Sequence, residues 1–264
     1  MIKSILLDLD ETLIQSEEAT KTLFETAKEL FLKHSDTTGD ELRQAYRYYG
    51  LQERSRLECF RNIEKVGCGS YDCFFTDEIF TVEYTDLHTY RMNVNRCISN
   101  ELNLHEKLIF DISVFLKKKW LDYYSLYPDA IPFLNSLKKI RLFIATNGLN
   151  VIQKQKIDKF GLRNYFSDIF ISQNLGSCKP NPCYFKSILT KIENRADDVI
   201  MIGDNLLSDI EGAHTHGMHT IHIKRSSIRN DKDVSFQPKY QIFNLIEAMK
   251  IMNDVFNFNF IPVV

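Results

Sequence analysis

The sequence predicts an α/β fold, a parallel sheet with helices on both faces, interrupted near its start by an all-helical insertion. Three observations carry this. From residue 128 onward, short apolar runs alternate with helical segments of about ten residues, the pattern of strands joined by crossover helices. Between 17 and 125 that alternation is missing, and Glu, Lys, Leu, Phe and Tyr dominate. The run SILL at 4–7 precedes this block but matches the later strands, so the helical block lies inside one α/β domain.

Taken in order, 4–7 is wholly apolar, as a strand buried on both faces is, and it leads into Asp8-Leu9-Asp10-Glu11-Thr12. Over 22–33, Leu23, Phe24, Ala27, Leu30 and Phe31 keep the spacing of an amphipathic helix, which 36–39 ends. Further helices are expected at 40–49 and 52–65, ended by Gly50 and by the Gly67 and Gly69 pair, and then at 76–95 and 106–124. A helix at 128–138 carries Pro132 in its first turn. Strands follow at 141–145, 168–172, 199–202 and 220–223. They alternate with helices at 150–160, stopped by Gly161, at 183–192 and at 209–216, stopped by Gly217, before a last helix at 244–252. The segment 256–264, FNFNFIPVV, suits docking on the body, an edge strand or a subunit contact.

Composition narrows the function. The 264 residues carry 33 basic and 35 acidic side chains, a net charge of −2, which gives no electrostatic case for a nucleic acid polymer or an anionic membrane. No apolar run approaches a membrane span and no basic, small-residue leader is visible, so a cytoplasmic protein is expected. The six cysteines, Cys59, Cys68, Cys73, Cys97, Cys178 and Cys183, are scattered and read as reduced thiols. Cys68 and Cys73 lack the second pair a zinc knuckle needs.

What stands at the strand ends is informative, because ligands of such sheets bind there. Asp8 and Asp10 leave the first strand on the same side of an extended backbone, and two like charges there require a cation or a strong donor. Thr146-Asn147-Gly148 follows the second core strand, offering a hydroxyl, an amide and free N–H groups at a helix start. Lys179, held by the neighbouring prolines of GSCKPNP, follows the third, and Gly203-Asp204-Asn205 with Asp209 follows the fourth. Each alone is equally an ordinary turn, cap or solvated lysine; all four at successive strand ends fit phosphoryl transfer. In that chemistry oxygen ligands suit Mg²⁺. Asp8 is the nucleophile and Asp10 the proton donor and acceptor, while Thr146 and Lys179 stabilise charge on the transferring oxygens.

These segments, DLDETL at 8–13, ATNG at 145–148, CKPNP at 178–182 and GDNLLSD at 203–209, resemble the four motifs of the haloacid dehalogenase superfamily. Residues 145–185 look most like the branch of pyrimidine 5′-nucleotidases and N-acylneuraminate-9-phosphatases, and the acidic residue at 11 fits the nucleotidase side. The resemblance implies a Rossmann-like core at 1–14 and 127–255, an inserted helical cap at 15–126 and a tail at 256–264. It implies Asp8 as nucleophile, Asp10 as general acid and base, and Lys179 tethering Asp8, with Thr146, Asn147 and Gly148 on the phosphate. Mg²⁺ would be held by the Asp8 carboxylate, the Asp10 carbonyl and Asp204, supported by Asp209. The expected activity is hydrolysis of a small phosphorylated metabolite, a nucleoside 5′-monophosphate or a sugar phosphate, by a monomer or homodimer.

Asp10 argues against carbon–halogen cleavage, for which the family needs no second carboxylate. A phosphomutase, or an inactive binding protein on the same fold, stays open. His214, His216 and His219 straddle a helix end and a turn, a poor arrangement for a shared metal. Arg43, Tyr46, Arg47, Tyr48, Tyr49, Arg54 and Arg56 could stack a base, or could be a helix with a buried aromatic face and a solvated basic one.

Overall fold

The computed structural model describes residues 2–56, 65–77, 84–137, 140–225 and 235–258. The chain divides into two units, Met1–Gln15 with Leu126–Asn147 and Ile157–Val264, and Ser16–Ser125 with Gly148–Lys156. Residues 148–156, expected as part of the α/β core, thus group with the inserted helices.

The first unit is built on a sheet of parallel strands in the order β5 (Asp168–Ile171), β4 (Arg141–Thr146), β1 (Ser4–Leu7), β6 (Val199–Gly203), β7 (His219–Ile223) and β8 (Gln241–Ile242). β2 (Ile14–Gln15) and β3 (Ser125–Leu126) are two-residue strands outside this sheet. β1 is central: Leu7 pairs with Ile144 on one side and Ile202 on the other. Ile5, Leu6 and Leu7 are fully buried, each removing enough apolar surface to stabilise the fold by about 1.5–3 kcal/mol. One side of the core gathers Leu6, Phe143, Phe170, Tyr184, Phe185, Ile188 and Met201. Because β1 is flanked by β4 and β6, what leaves its carboxyl end lies beside what leaves theirs. The Asp8 amide still donates to Ile202, one step beyond the strand.

Helix ends follow side-chain chemistry. Asn181 caps the helix Pro182–Ile192 by accepting from the Cys183 amide, with proline at its first position. Gly161, at φ 61°, stops the helix Asn150–Lys159. The helix expected at 209–216 begins earlier, as a π-type turn over Leu206–Glu211 running into Gly212–His214, because the Asn205 side chain accepts from the amides of Leu207 and Ser208. The last helix, Leu245–Phe256, outruns its expected end, and its cap Asn257 takes φ 58°. Residues 259–264 of the expected tail lie outside the described residues.

The second unit is helical. Ser16–Phe31, Gly39–Arg56, Tyr84–Glu101 and Glu106–Tyr123 are its long helices, with a short one at Asp72–Phe75. The break expected at Gly50 does not occur. That glycine is needed for close packing: a Cβ there would stand 3.1 Å from the Tyr90 hydroxyl, which donates to the Gly50 carbonyl, and 3.2 Å from the Phe74 ring. The Gly39–Arg56 helix opens with a reciprocal box, Thr38 Oγ1 accepting from the Glu41 amide and the Glu41 carboxylate accepting from the Thr38 amide. The helix expected from 76 does not start there, since Thr76 is extended; 57–64 and 78–83 lie outside the described residues. Tyr46 is fully buried, its hydroxyl on the Ile109 carbonyl, and Arg54 is buried on the carbonyls of Cys68 and Gly69. Arg43 and Arg56 pair with Asp40 and Glu53 of their own helix. Of the aromatic and basic cluster, Tyr46 and Arg54 are thus spent on packing the unit, while Arg47, Tyr48 and Arg56 are exposed. Among the described residues no helix is long and apolar enough to cross a membrane.

Candidate active site

The strand order brings Asp8, Asp204 and Asp209 together. Each is buried, and each offers an oxygen within 4.8 Å of the others. Lys179, also buried, crosses from the loop after β5: its Nζ donates to Asp8 Oδ1 at 2.6 Å and to the Ala145 carbonyl at 2.7 Å, and pairs with Asp209 Oδ1 at 2.7 Å. Three carboxylates against one ammonium leave two negative charges, which is the charge of one divalent cation. Burial dominates the Asp8 carboxyl, pushing its pKa up to about 7 against the pull of Lys179, with Asp209 and Asp10 adding repulsion. The Lys179 ammonium is held well above its usual range: burial opposes this, but Asp209 and Asp8 outweigh it. A hard, oxygen-only donor set carrying a surplus of negative charge fits Mg²⁺.

Local structure explains why these side chains converge. Gly203 ends β6 without a side chain because a Cβ there would come within 2.6 Å of Asp209 Cβ and Cγ. The Asn205 amide donates to Asp209 Oδ2 at 3.0 Å, so Asp209 is fixed by Lys179 and the backbone together. The Asp204 carbonyl accepts from His222 Nε2 at 3.0 Å. Beneath the site Tyr184 is fully buried, its hydroxyl donating to the Phe170 carbonyl at 2.9 Å.

The other expected residues separate. Asp10 is half-buried, in a bridge with Ile14, and is not among the clustered carboxylates. Thr146 is almost wholly buried, its hydroxyl on the Asn147 carbonyl. The Asn147 side chain faces Lys179, donating to its carbonyl at 3.0 Å and accepting from its amide at 2.9 Å, so it orders the lysine loop. Gly148 groups with the helical unit, at φ 135°, a backbone only glycine adopts easily. His216 stacks on Phe185, while His214 and His219 pack against Phe236 and Phe256; none joins the carboxylates. His222, which reaches the backbone carbonyl of Asp204 and not its carboxylate, escaped the sequence reading because that neighbour lies 18 residues away across the sheet. Its place, at the carboxyl end of the strand beside β6, was the one available signal. Cys68, Cys73, Cys97, Cys178 and Cys183 are free thiols, with Cys68 and Cys73 Sγ 3.9 Å apart; Cys59 lies outside the described residues.

Residues 2–217 match the profile of the haloacid dehalogenase-like hydrolases. A glyceraldehyde 3-phosphate phosphatase of Methanopyrus kandleri is 27% identical over 97% of this chain and 99% of its own. The pyrimidine 5′-nucleotidase PynA of Streptococcus pneumoniae is 33% identical, but over 42% of this chain and 47% of its own. Among solved structures, the HAD-hydrolase YfnB of Bacillus subtilis bound to magnesium is 21% identical and covers 96% of this chain and 99% of its own, with a TM-score of 0.63.

Proposed function

The chain belongs to the haloacid dehalogenase-like hydrolase family, and from that premise we propose that it hydrolyses small phosphomonoesters through a phosphoryl group carried on Asp8. The observation that carries this reading is the buried meeting of Asp8, Asp204 and Asp209 with the Lys179 ammonium.

In the proposed reaction an Asp8 carboxylate oxygen attacks phosphorus, the ester P–O bond breaks, and Asp10 gives its proton to the departing alcohol. Asp10 then takes a proton from water, which attacks the acyl phosphate, releases inorganic phosphate and restores the Asp8 carboxylate. Lys179, fixed on Asp8, keeps the nucleophilic carboxylate oriented and offsets charge on the transferring oxygens. The Asn147 side chain holds the Lys179 loop in register. Mg²⁺ would be held by the Asp8 and Asp204 carboxylates and the Asp10 carbonyl, with the Asp209 carboxylate supporting it directly or through water. When bound, the ion supplies charge neutralisation that lets Asp8 ionise and approach an anionic phosphate.

Relatives matched along nearly their full length include a glyceraldehyde 3-phosphate phosphatase and an N-acylneuraminate-9-phosphatase, whereas the nucleotidase is matched over less than half. This favours short phosphorylated aldehydes, polyols and sugars over nucleotides. The experiment is phosphate release from a panel holding glyceraldehyde 3-phosphate, sugar phosphates, phosphoglycolate, UMP and dTMP, with Mg²⁺ or with EDTA. Selective, Mg²⁺-dependent release from the carbohydrate members supports the reading. Preference for UMP and dTMP would move it to the nucleotidase, and an isomerised phosphate ester without release would make the enzyme a mutase.

A further inference from the structure

The loop that presents Asp8 and Asp10 is bent through an unfavourable conformation. Glu11 sits at φ 57°, a left-handed backbone costly for any residue with a Cβ, and it is 6% exposed. A carboxylate that deep needs a donor. The Tyr127 hydroxyl, 116 positions along the chain, donates to Glu11 Oε2 at 2.7 Å. The tyrosine is itself fixed: its amide donates to the Leu13 carbonyl at 2.9 Å, and the Arg225 guanidinium lies over its ring, 3.9 Å from the centroid. Arg225 in turn holds Asp129 with two hydrogen bonds of 2.7 Å and donates to the Thr12 carbonyl at 3.0 Å. Asp129 also accepts from the Leu245 amide at 2.7 Å, which ties the assembly to the last helix. The loop is thus gripped at Glu11, Thr12 and Leu13 by groups from two distant segments.

We propose that Tyr127 is a positioning residue: by holding the Glu11 carboxylate, with Arg225 bracing its ring and the Thr12 carbonyl, it fixes the spacing of Asp8 and Asp10 for phosphoryl transfer. This rests on the roles proposed for those aspartates. The phenol suits the task because burial and the facing Glu11 carboxylate keep its proton in place, so it remains a donor. Arg225 suits its own because a planar fork can bind a carboxylate, reach a carbonyl and cover a ring together, which a lysine cannot.

The test is Tyr127→Phe, which keeps the ring under Arg225 and removes the hydroxyl, in the wild-type and Glu11→Gly backgrounds. Glycine accepts the positive φ and has no carboxylate to hold. With p-nitrophenyl phosphate and Mg²⁺, Tyr127→Phe is expected to lower kcat about ten- to hundredfold, with KM within about twofold. In the Glu11→Gly background the same change should have no effect on kcat. Wild-type kcat in Tyr127→Phe, or an equal loss in both backgrounds, overturns the proposal. Deuterium exchange of the peptide spanning 5–15 needs no turnover and decides the matter if wild type proves inactive on every ester. Faster exchange there in Tyr127→Phe, with strand β4 unchanged, supports the positioning role even though the phosphatase reading has failed; unchanged exchange at 5–15 overturns it.

Discussion

Replacing Lys179 by methionine removes the positive charge among the buried carboxylates while keeping nearly all of the side-chain volume. In the folded protein the ammonium lies 2.6 Å from Asp8 and 2.7 Å from Asp209, and it is 4% exposed. Without it the three clustered carboxylates lose the ammonium that offsets them, and the Asp8 carboxyl is pushed higher still. Breaking a buried pair from one side costs about 3–5 kcal/mol, because the partner is left buried and uncompensated. For a chain of this size that corresponds to roughly 6–20 °C in melting temperature, at about 2–4 °C per kcal/mol. The assay is urea denaturation of Lys179→Met in EDTA at neutral pH, with p-nitrophenyl phosphate turnover alongside. A second substitution, Asp8→Asn, should recover part of the lost stability without restoring turnover, because it removes the charge left unpaired. A loss below about 1 kcal/mol, or a double variant less stable than Lys179→Met, would refute the claim that the lysine serves as the counter-charge of this cluster.

The Asp8 carboxyl, raised by burial to about 7 from an ordinary 3.8, binds its proton more tightly in the folded state than in the unfolded one. Its contribution to stability is therefore complete below the unfolded value and is lost as pH rises toward 7; in EDTA, wild type minus Asp8→Asn should show this slope between pH 4 and 7, and a flat difference would contradict it. For the same reason Mg²⁺ binding should release protons below pH 7, which calorimetry in buffers of different ionisation enthalpy reads directly. Gly203→Ala sets a methyl against Asp209 and should cost about 1–3 kcal/mol in urea unfolding and most of the activity; unchanged values would mean that Asp209 has room to move. Tyr46→Phe removes a buried hydroxyl that bonds the Ile109 carbonyl in the helical unit. It should cost about 1–2 kcal/mol and leave KM unchanged for UMP as well as for p-nitrophenyl phosphate, whereas a base-recognition role for that hydroxyl requires KM to rise for UMP alone.

The parts of the molecule legible in the sequence are those set by local pattern. Ile5 to Leu7 reads as a buried strand from its letters alone, and the acidic exits of β1 and β6 stand out because each follows a short apolar run. What escaped depends on partners distant in sequence. Gly50 breaks a helix by local rules, yet it lies within one because Tyr90 and Phe74 need the space. Asn147 reads as an anion-binding amide, but its side chain is satisfied by the backbone of Lys179, 32 positions away. Tyr127 and Arg225 carry no motif. Their meaning comes from the bend at Glu11, which no propensity argument would place in a left-handed conformation. Lys179 lies between these cases: the flanking prolines marked the loop, but only the sheet order could show that its ammonium reaches two carboxylates.

The central claim is that Asp8 carries the phosphoryl group. Wild-type enzyme mixed with a turned-over phosphomonoester and Mg²⁺, quenched in acid within one turnover and digested, should yield the 5–15 peptide heavier by one phosphoryl group, located on Asp8. The adduct should be lost in alkali and absent when EDTA replaces Mg²⁺. A phosphoryl group on another residue, or steady turnover by Asp8→Asn at the wild-type rate, would contradict the account.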